Sequence, residues 1–395
     1  MKPNIIFLIS TLSAGGAQRV VSNLTFGLSD RYSIALALHN GEEIGYEYKA
    51  NLIDLKIPVS TNYIMKFINV FRRASKMREI KKSLLPFATI SFLEGSNYVN
   101  ILAQGKGKTI ISVRNYKSKQ ANGLLGYLGS FMMKKLYDRS DCIIAPSRGI
   151  RKDLIRSFQI DESLIKVIYN PYDVEKIQRY AAEVIDPAHS DIFTDPVIIT
   201  VGSFLRQKGQ WHLIRAFKEV LKEFPNLKLV ILGKGGLEQY LRKLIQDNDL
   251  LRSVFLLGFQ DNPYKYISKS SVFVFPSLFE GFPNALVESM ACGTPVISSD
   301  CRSGPREILA PETNFDFETE VIEYADFGLL TPVCDGRFHD AGTPLTKEEK
   351  VLAEAIVKLF SNKAMLAHYK NRGIERAKHF TLEDISKQWI RVIDE

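Results

Sequence analysis

Short unbroken apolar runs alternate along this chain with longer stretches whose apolar positions recur every three or four residues. In the first half the runs at 5–10, 34–38, 87–93, 109–113 and 142–145 are bounded by turn residues, which predicts buried strands. Between them, 17–28, 67–85, 123–137 and 149–157 carry helical spacing. Continuously apolar strands alternating with amphipathic helices predict an α/β fold, a doubly wound and largely parallel sheet covered on both faces.

The pattern breaks at Ile168-Tyr169-Asn170-Pro171-Tyr172-Asp173, a turn followed by polar sequence, and a second alternation then starts. Its predicted strands are 197–201, 228–232, 254–257, 272–275 and 295–298, and its helices 210–224, 236–246, 263–268 and 284–292. The stretch 311–346, rich in Pro, Gly and acids, reads as an irregular insertion or long loop. Helices are predicted at 348–360, 363–379 and 382–393. A length of 395 residues suits two domains, set here at 1–175 and 176–395, with the last helix (380–395) free to pack back on the first. In such sheets ligands gather outside the C-terminal strand ends.

Charge changes this picture more than overall composition, which at 45% apolar and 24% charged is that of an ordinary globular protein. Residues 1–175 carry 25 Lys and Arg against 14 Asp and Glu, while residues 176–395 carry 27 against 30. The net +8 therefore comes from the first half, which should attract a phosphate-bearing substrate or a membrane surface. The predicted helix at 67–85 concentrates it, with Arg72, Arg73 and Lys76 among its basic residues. Such a helix suits an anionic lipid surface or a diphosphate-bearing acceptor, or else packs on the core with a solvated outer face. Nucleic acid is disfavoured, because no recognised binding module accompanies the charge. The opening apolar run is too short for a secretory core, and no run approaches the roughly 20 residues that span a bilayer. The four cysteines are dispersed without a C-x-x-C pair, which fits a reduced cytoplasmic protein with no metal site.

Candidate chemistry lies at strand-to-helix turns. Ser13-Ala14-Gly15-Gly16-Ala17 is either a tight turn or a place where backbone at Gly16 approaches a phosphate. It matches neither dinucleotide nor ATP fingerprints. Gly202-Ser203-Phe204-Leu205-Arg206-Gln207-Lys208-Gly209 holds the corresponding place in the second domain, where Arg206 and Lys208 suit a diphosphate or form a surface pair. The most informative segment is Glu280-Gly-Phe-Pro-Asn-Ala-Leu-Val-Glu288: an acidic loop entering a helix whose first residues, Asn284, Ala285 and Leu286, offer backbone N–H groups to an anion. Glu288 stands about five residues into that helix, some 7–8 Å along its axis at about 1.5 Å per residue, too far for the acid/base pair of a retaining hydrolase.

Together, the Gly15-Gly16-Ala17 turn, Asn170-Pro171, the 202–209 loop and the Glu280–x7–Glu288 pattern resemble the retaining GT-B glycosyltransferases of family 4. The resemblance implies two Rossmann-like domains facing across a cleft and transfer of a hexose or N-acetylhexosamine from a nucleotide-sugar, with uracil as the base. It places Glu280 at the transferred sugar, Glu288 at the ribose and Arg206 and Lys208 at the diphosphate. Gly16, Gly202 and backbone at 284–286 complete the donor site. Two positions depart from the family: Ser203 replaces an arginine, and Arg114 and Asn115 stand where many members have a histidine. The segments at 303–309 and 323–330 resemble a subset that builds bacterial surface polysaccharide on polyprenyl-diphosphate acceptors, at the inner face of the cell membrane. With Arg206, Lys208 and the start of the helix before Glu288 supplying the positive field at the diphosphate, the expected enzyme needs no cofactor or metal. A nucleotide-sugar epimerase and a non-catalytic scaffold subunit of a polysaccharide assembly complex are the alternatives.

Overall fold

The computed structural model describes residues 2–13, 15–42, 44–58, 60, 62–116, 118 and 133–395. Most of the helix expected at 123–137 lies outside them. The chain divides into two compact units: residues 1–172 with 380–395, and residues 173–379.

The first unit holds a seven-stranded parallel sheet in the order β3-β2-β1-β4-β5-β6-β7. Its strands are β1 (Asn4–Ile9), β2 (Ser33–Leu38), β3 (Asn51–Asp54), β4 (Ala88–Phe92), β5 (Lys108–Ser112), β6 (Cys142–Ala145) and β7 (Ile165–Val167). The apolar runs form the sheet interior, where side chains such as Phe7, Ile90 and Ile144 are wholly buried. The C-terminal helix Leu382–Asp394 belongs to this unit and inserts Ile385, Trp389 and Ile393 into the same core, with Trp389 against Phe92.

Two strands and a helix of this unit escape hydrophobic patterning. β3 is a half-exposed edge strand and β7 is only three residues long. The helix Glu94–Leu102 is buried through Ser96, Asn97 and Asn100 as well as Val99 and Ile101. Asn100 donates to the carbonyls of Thr89 (3.0 Å) and Ile110 (3.1 Å) and accepts from Lys81 (2.8 Å). Polar side chains here satisfy buried carbonyls and link helix to sheet.

His39, 1% exposed at the end of β2, is another internal polar group. Burial, and then the nearby Arg73 charge, depress its pKa to about 3. The unfolded chain protonates this imidazole near its ordinary value, about 6.5. His39 thus contributes stability above that pH, and the contribution is lost as pH falls from about 6.5 towards 3, at up to about 1.4 kcal/mol per pH unit. His39→Gln should flatten the stability–pH profile in that window. Urea midpoints at pH 7, 6 and 5 test this, and an unchanged slope would refute it.

The second unit repeats the architecture with strand order β10-β9-β8-β11-β12-β14-β13. Its strands are β8 (Val197–Val201), β9 (Lys228–Leu232), β10 (Val254–Gly258), β11 (Val272–Phe275), β12 (Val296–Ser299), β13 (Glu323–Ala325) and β14 (Gly328–Thr331). All pairs are parallel except β13 with β14. The stretch 311–346 is therefore not wholly irregular: it contributes two strands, one of them beside β12 in the core. Their shortness and acidic flanks hide them from a pattern search.

Candidate functional site

In the second unit the loops leaving β8, β11 and β12 converge at the C-terminal ends of the strands. The first turns through a single 3₁₀ turn, Arg206–Lys208, and ends at Gly209 with φ 61°. A Cβ at Gly209 would lie 2.3 Å from the Pro276 carbonyl oxygen, so only glycine permits this approach to the β11 loop. Leu278 N–H donates to Gln207 C=O at 2.8 Å and closes the same contact.

This approach brings Lys208 to Glu280. Lys208 Nζ donates to Glu280 Oε1 at 2.7 Å and lies 5.5 Å from the centre of the Phe275 ring. Gln207, which sequence reasoning passed over, donates its amide to Glu280 Oε2 (3.2 Å) and to Phe279 C=O (2.8 Å). Only its place beside Lys208 hinted at a role. Arg206 is exposed, its Nε donating to Gly336 C=O at 3.2 Å. Gly202 ties β8 to β9, with its N–H on Leu232 C=O and its own carbonyl accepting from Gln210.

The β11 and β12 loops are joined by reciprocal backbone bonds. Glu280 N–H donates to Arg302 C=O and Ser303 N–H donates to Glu280 C=O, both at 2.8 Å. Gly304, at φ 105°, packs where a Cβ would meet Pro283 Cδ at 2.5 Å. Arg306 is buried between Asp300 (2.5 Å) and Glu323 (2.7 Å) and anchors the loop from beneath. Glu280 is 6% and Glu288 4% exposed, so neither is a solvated surface glutamate.

The helix Asn284–Ala291 starts after Pro283 without a side-chain cap. Of the three backbone groups assigned to an anion, that of Leu286 already donates to Pro283 C=O at 3.2 Å. The Leu286 side chain is fully buried, so its place in this site is as packing, and Asn284 and Ala285 form the helix edge.

The remaining sequence candidates lie in the first unit. Gly16 opens the helix Gly16–Gly27. Arg114 follows β5 and is buried, donating Nη1 to Asn170 Oδ1 at 2.7 Å, while Asn115 is half-buried. The basic helix, Tyr63–Leu84, corrects the reading of Arg73 and Lys76. Arg73 is buried and donates to the carbonyls of Ile57 (2.8 Å) and Pro58 (2.7 Å), and Lys76 donates to Leu55 C=O (2.7 Å). They clamp chain leaving β3, which stands at the edge of the sheet. Arg72 stays exposed, beside exposed Phe67 and Phe71 stacked edge to face at 5.0 Å. Among the described residues no helix is long and apolar enough to cross a membrane.

Comparison with known proteins agrees with this architecture. The Glycosyltransferase Family 4 model matches residues 14–176, and that of Glycosyl transferases group 1 matches residues 183–325. An uncharacterized glycosyltransferase of Methanocaldococcus jannaschii is 35% identical over 85% of this chain and 86% of its own. The N-acetylgalactosamine-N,N'-diacetylbacillosaminyl-diphospho-undecaprenol 4-alpha-N-acetylgalactosaminyltransferase of Campylobacter jejuni is 32% identical over 98% of both. Among solved structures, the fold matches Anabaena HepE, crystallised with UDP and glucose, at TM-score 0.75 and 17% identity over 99% of each chain. It matches a sucrose-phosphate synthase of Thermosynechococcus elongatus at TM-score 0.76 and 18% identity, over 99% of this chain and 98% of that one. On these matches the chain belongs to the family 4 glycosyltransferases, with the GT-B fold.

Proposed function

We propose that this enzyme moves a hexose or N-acetylhexosamine from a UDP-sugar, with retention and without a metal, to a polyprenyl-diphosphate-linked glycan in bacterial surface-polysaccharide synthesis. The observation that carries the reading is the Lys208–Glu280 contact beside Arg206, at the strand ends of the second unit. Departure of the nucleoside diphosphate is the difficult step, because negative charge grows on it as the glycosidic bond breaks. Lys208, Arg206 and the start of the Asn284–Ala291 helix place fixed positive charge where it develops. Glu280 meets the sugar hydroxyls while orienting the Lys208 ammonium, and Glu288 accepts from the ribose. The acceptor hydroxyl attacks from the leaving-group face and passes its proton to the departing diphosphate. Support for the acceptor class comes from the Campylobacter relative, named for a diphospho-undecaprenol-linked substrate, and support for the surface-polysaccharide setting from a Salmonella typhimurium lipopolysaccharide 1,6-galactosyltransferase, 28% identical over 50% of this chain and 53% of its own.

The test is UDP or GDP release from a panel of nucleotide-sugars, with and without polyprenyl-diphosphate acceptors and with and without EDTA. Acceptor-dependent UDP release that survives EDTA is expected. Donor conversion without acceptor would favour an epimerase, and failure to bind any nucleotide a scaffold. Glu288→Ala should raise donor KM about tenfold or more, consistent with loss of a charged hydrogen-bond acceptor, and an unchanged donor KM removes Glu288 from the ribose.

Peripheral attachment to the inner face of the cell membrane belongs to the same reading. On the Tyr63–Leu84 helix Ile64, Phe67 and Phe71 are 71%, 60% and 49% exposed, next to Arg72. Apolar side chains flanked by basic ones suit an anionic lipid interface. Phe67→Ser with Phe71→Ser should lower sedimentation with phosphatidylglycerol vesicles by about tenfold or more. Binding equal to the parent protein would remove the helix from the membrane.

A further inference from the structure

Arg114 stands just beyond β5, at the sheet edge where open α/β folds gather ligands. It is 8% exposed. Its guanidinium lies over the Phe92 ring, 5.3 Å from the centre, and Asn170 fixes it through Nη1. Nε and Nη2 are shielded from solvent and, among the described residues, have no hydrogen-bond partner. Among the described residues no carboxylate pairs with Arg114; burial lowers its pKa and nearby Tyr172 acts in the opposite direction. A buried cation with two unsatisfied donors is costly, and native folds keep such groups where something else satisfies them.

Nε–H and Nη2–H form one edge of the guanidinium and point the same way, the geometry that takes two oxygens of one oxyanion. Asn170 holds the opposite end, so this edge is presented in a fixed direction. The neighbouring strand end is strained: Leu93, whose N–H donates to Ser112 C=O, has φ 71°, unusual for a branched side chain.

We infer that Arg114, oriented by Asn170, is a bidentate receptor for a phosphoryl oxyanion in the first unit. This inference rests on the proposed function for the identity of the anion, since donor and acceptor both carry a diphosphate. Sugar hydroxyls alone would not call for a buried charged fork, whereas a phosphoryl group supplies both the charge and the paired oxygens.

Calorimetry with inorganic pyrophosphate in saturating UDP, on the full chain and on Arg114→Gln and Arg114→Lys, tests it. If the anion is the acceptor's, the parent protein binds pyrophosphate over UDP. Arg114→Gln then loses at least tenfold in affinity, Arg114→Lys keeps an intermediate value because charge remains without the fork, and UDP affinity is unchanged. If the anion is the donor's, no pyrophosphate binds over UDP, and Arg114→Gln weakens UDP itself at least tenfold. Equal pyrophosphate and UDP affinities in all three proteins overturn the inference. Thermal melts of both variants confirm folding, and the lysine variant alone decides should the glutamine variant fail to fold. A parent protein that binds no UDP sinks the proposed function instead. Pyrophosphate alone then still reads Arg114: tenfold loss in the variants upholds it and equal binding overturns it.

Discussion

Lys208→Ala is expected to lower kcat/KM by about 10²–10³-fold, the range found when one preorganised donor to a developing anion is removed. Lys208 is the cation the fold places most firmly at this site. Its turn is fixed by Gly209 against the Pro276 carbonyl, and its Nζ is held at 2.7 Å by Glu280 and lies over the Phe275 ring, 5.5 Å from the centre. Glu280 is almost wholly buried, so an ammonium is oriented at little entropic cost before donor arrives. A carboxylate so close also moderates the ammonium's charge, which strengthens the case for Arg206 as the second cation. Lys208→Arg should recover only part of the activity, because a planar fork does not reproduce a compact charge. The check is single-turnover UDP release together with a thermal melt. Loss of rate in a stably folded variant supports the assignment, and an unchanged rate removes Lys208 from the chemistry.

The strand–helix order of both units is legible in the sequence because buried parallel strands are continuous apolar runs. The runs at 142–145, 197–201, 228–232 and 272–275 coincide with β6, β8, β9 and β11. What stays hidden lacks that signal. β3 is an exposed edge, β13 and β14 are three and four residues among acids and glycines, and the helix Glu94–Leu102 is buried largely through asparagine and serine. The site divides in the same way. Glu280, Glu288 and Lys208 stand out as residue types at strand ends, but the 2.7 Å contact between positions 72 residues apart depends on Gly209, and Gln207 carries no signal of its own. Arg73 misleads for the opposite reason. Its charge is visible in sequence, whereas the carbonyls of Ile57 and Pro58 that draw it inward are created only by folding.

Glu349→Ala is expected to destabilise the second unit by about 3–5 kcal/mol, the cost of leaving a buried charge without its partner. Glu349 is wholly buried at the start of the helix Lys347–Ser361, where it also completes a capping box with Thr346. It accepts from His212 Nδ1 (2.8 Å) and from Arg215 Nε (2.9 Å), both on the helix Gln210–Glu223. Arg215 also donates to the carbonyls of Asp340, Thr343 and Pro344, so one carboxylate holds two helices and the loop after β14 together. That loop carries the Gly336 carbonyl on which Arg206 rests, which ties this interior cluster to the strand-end site. Burial raises the Glu349 pKa, but hydrogen bonds from His212, Arg215 and Thr346 outweigh it and hold the carboxyl down at about 2. The unfolded value is about 4.3, so its contribution is complete above that pH and is lost as pH falls from about 4.3 towards 2. Glu349→Gln keeps an acceptor and should cost less than the alanine variant at neutral pH, while losing this acid dependence. Urea unfolding at pH 7 and pH 3 measures both effects. A neutral-pH loss below about 1 kcal/mol for Glu349→Ala would mean that Arg215 is satisfied by the loop carbonyls alone.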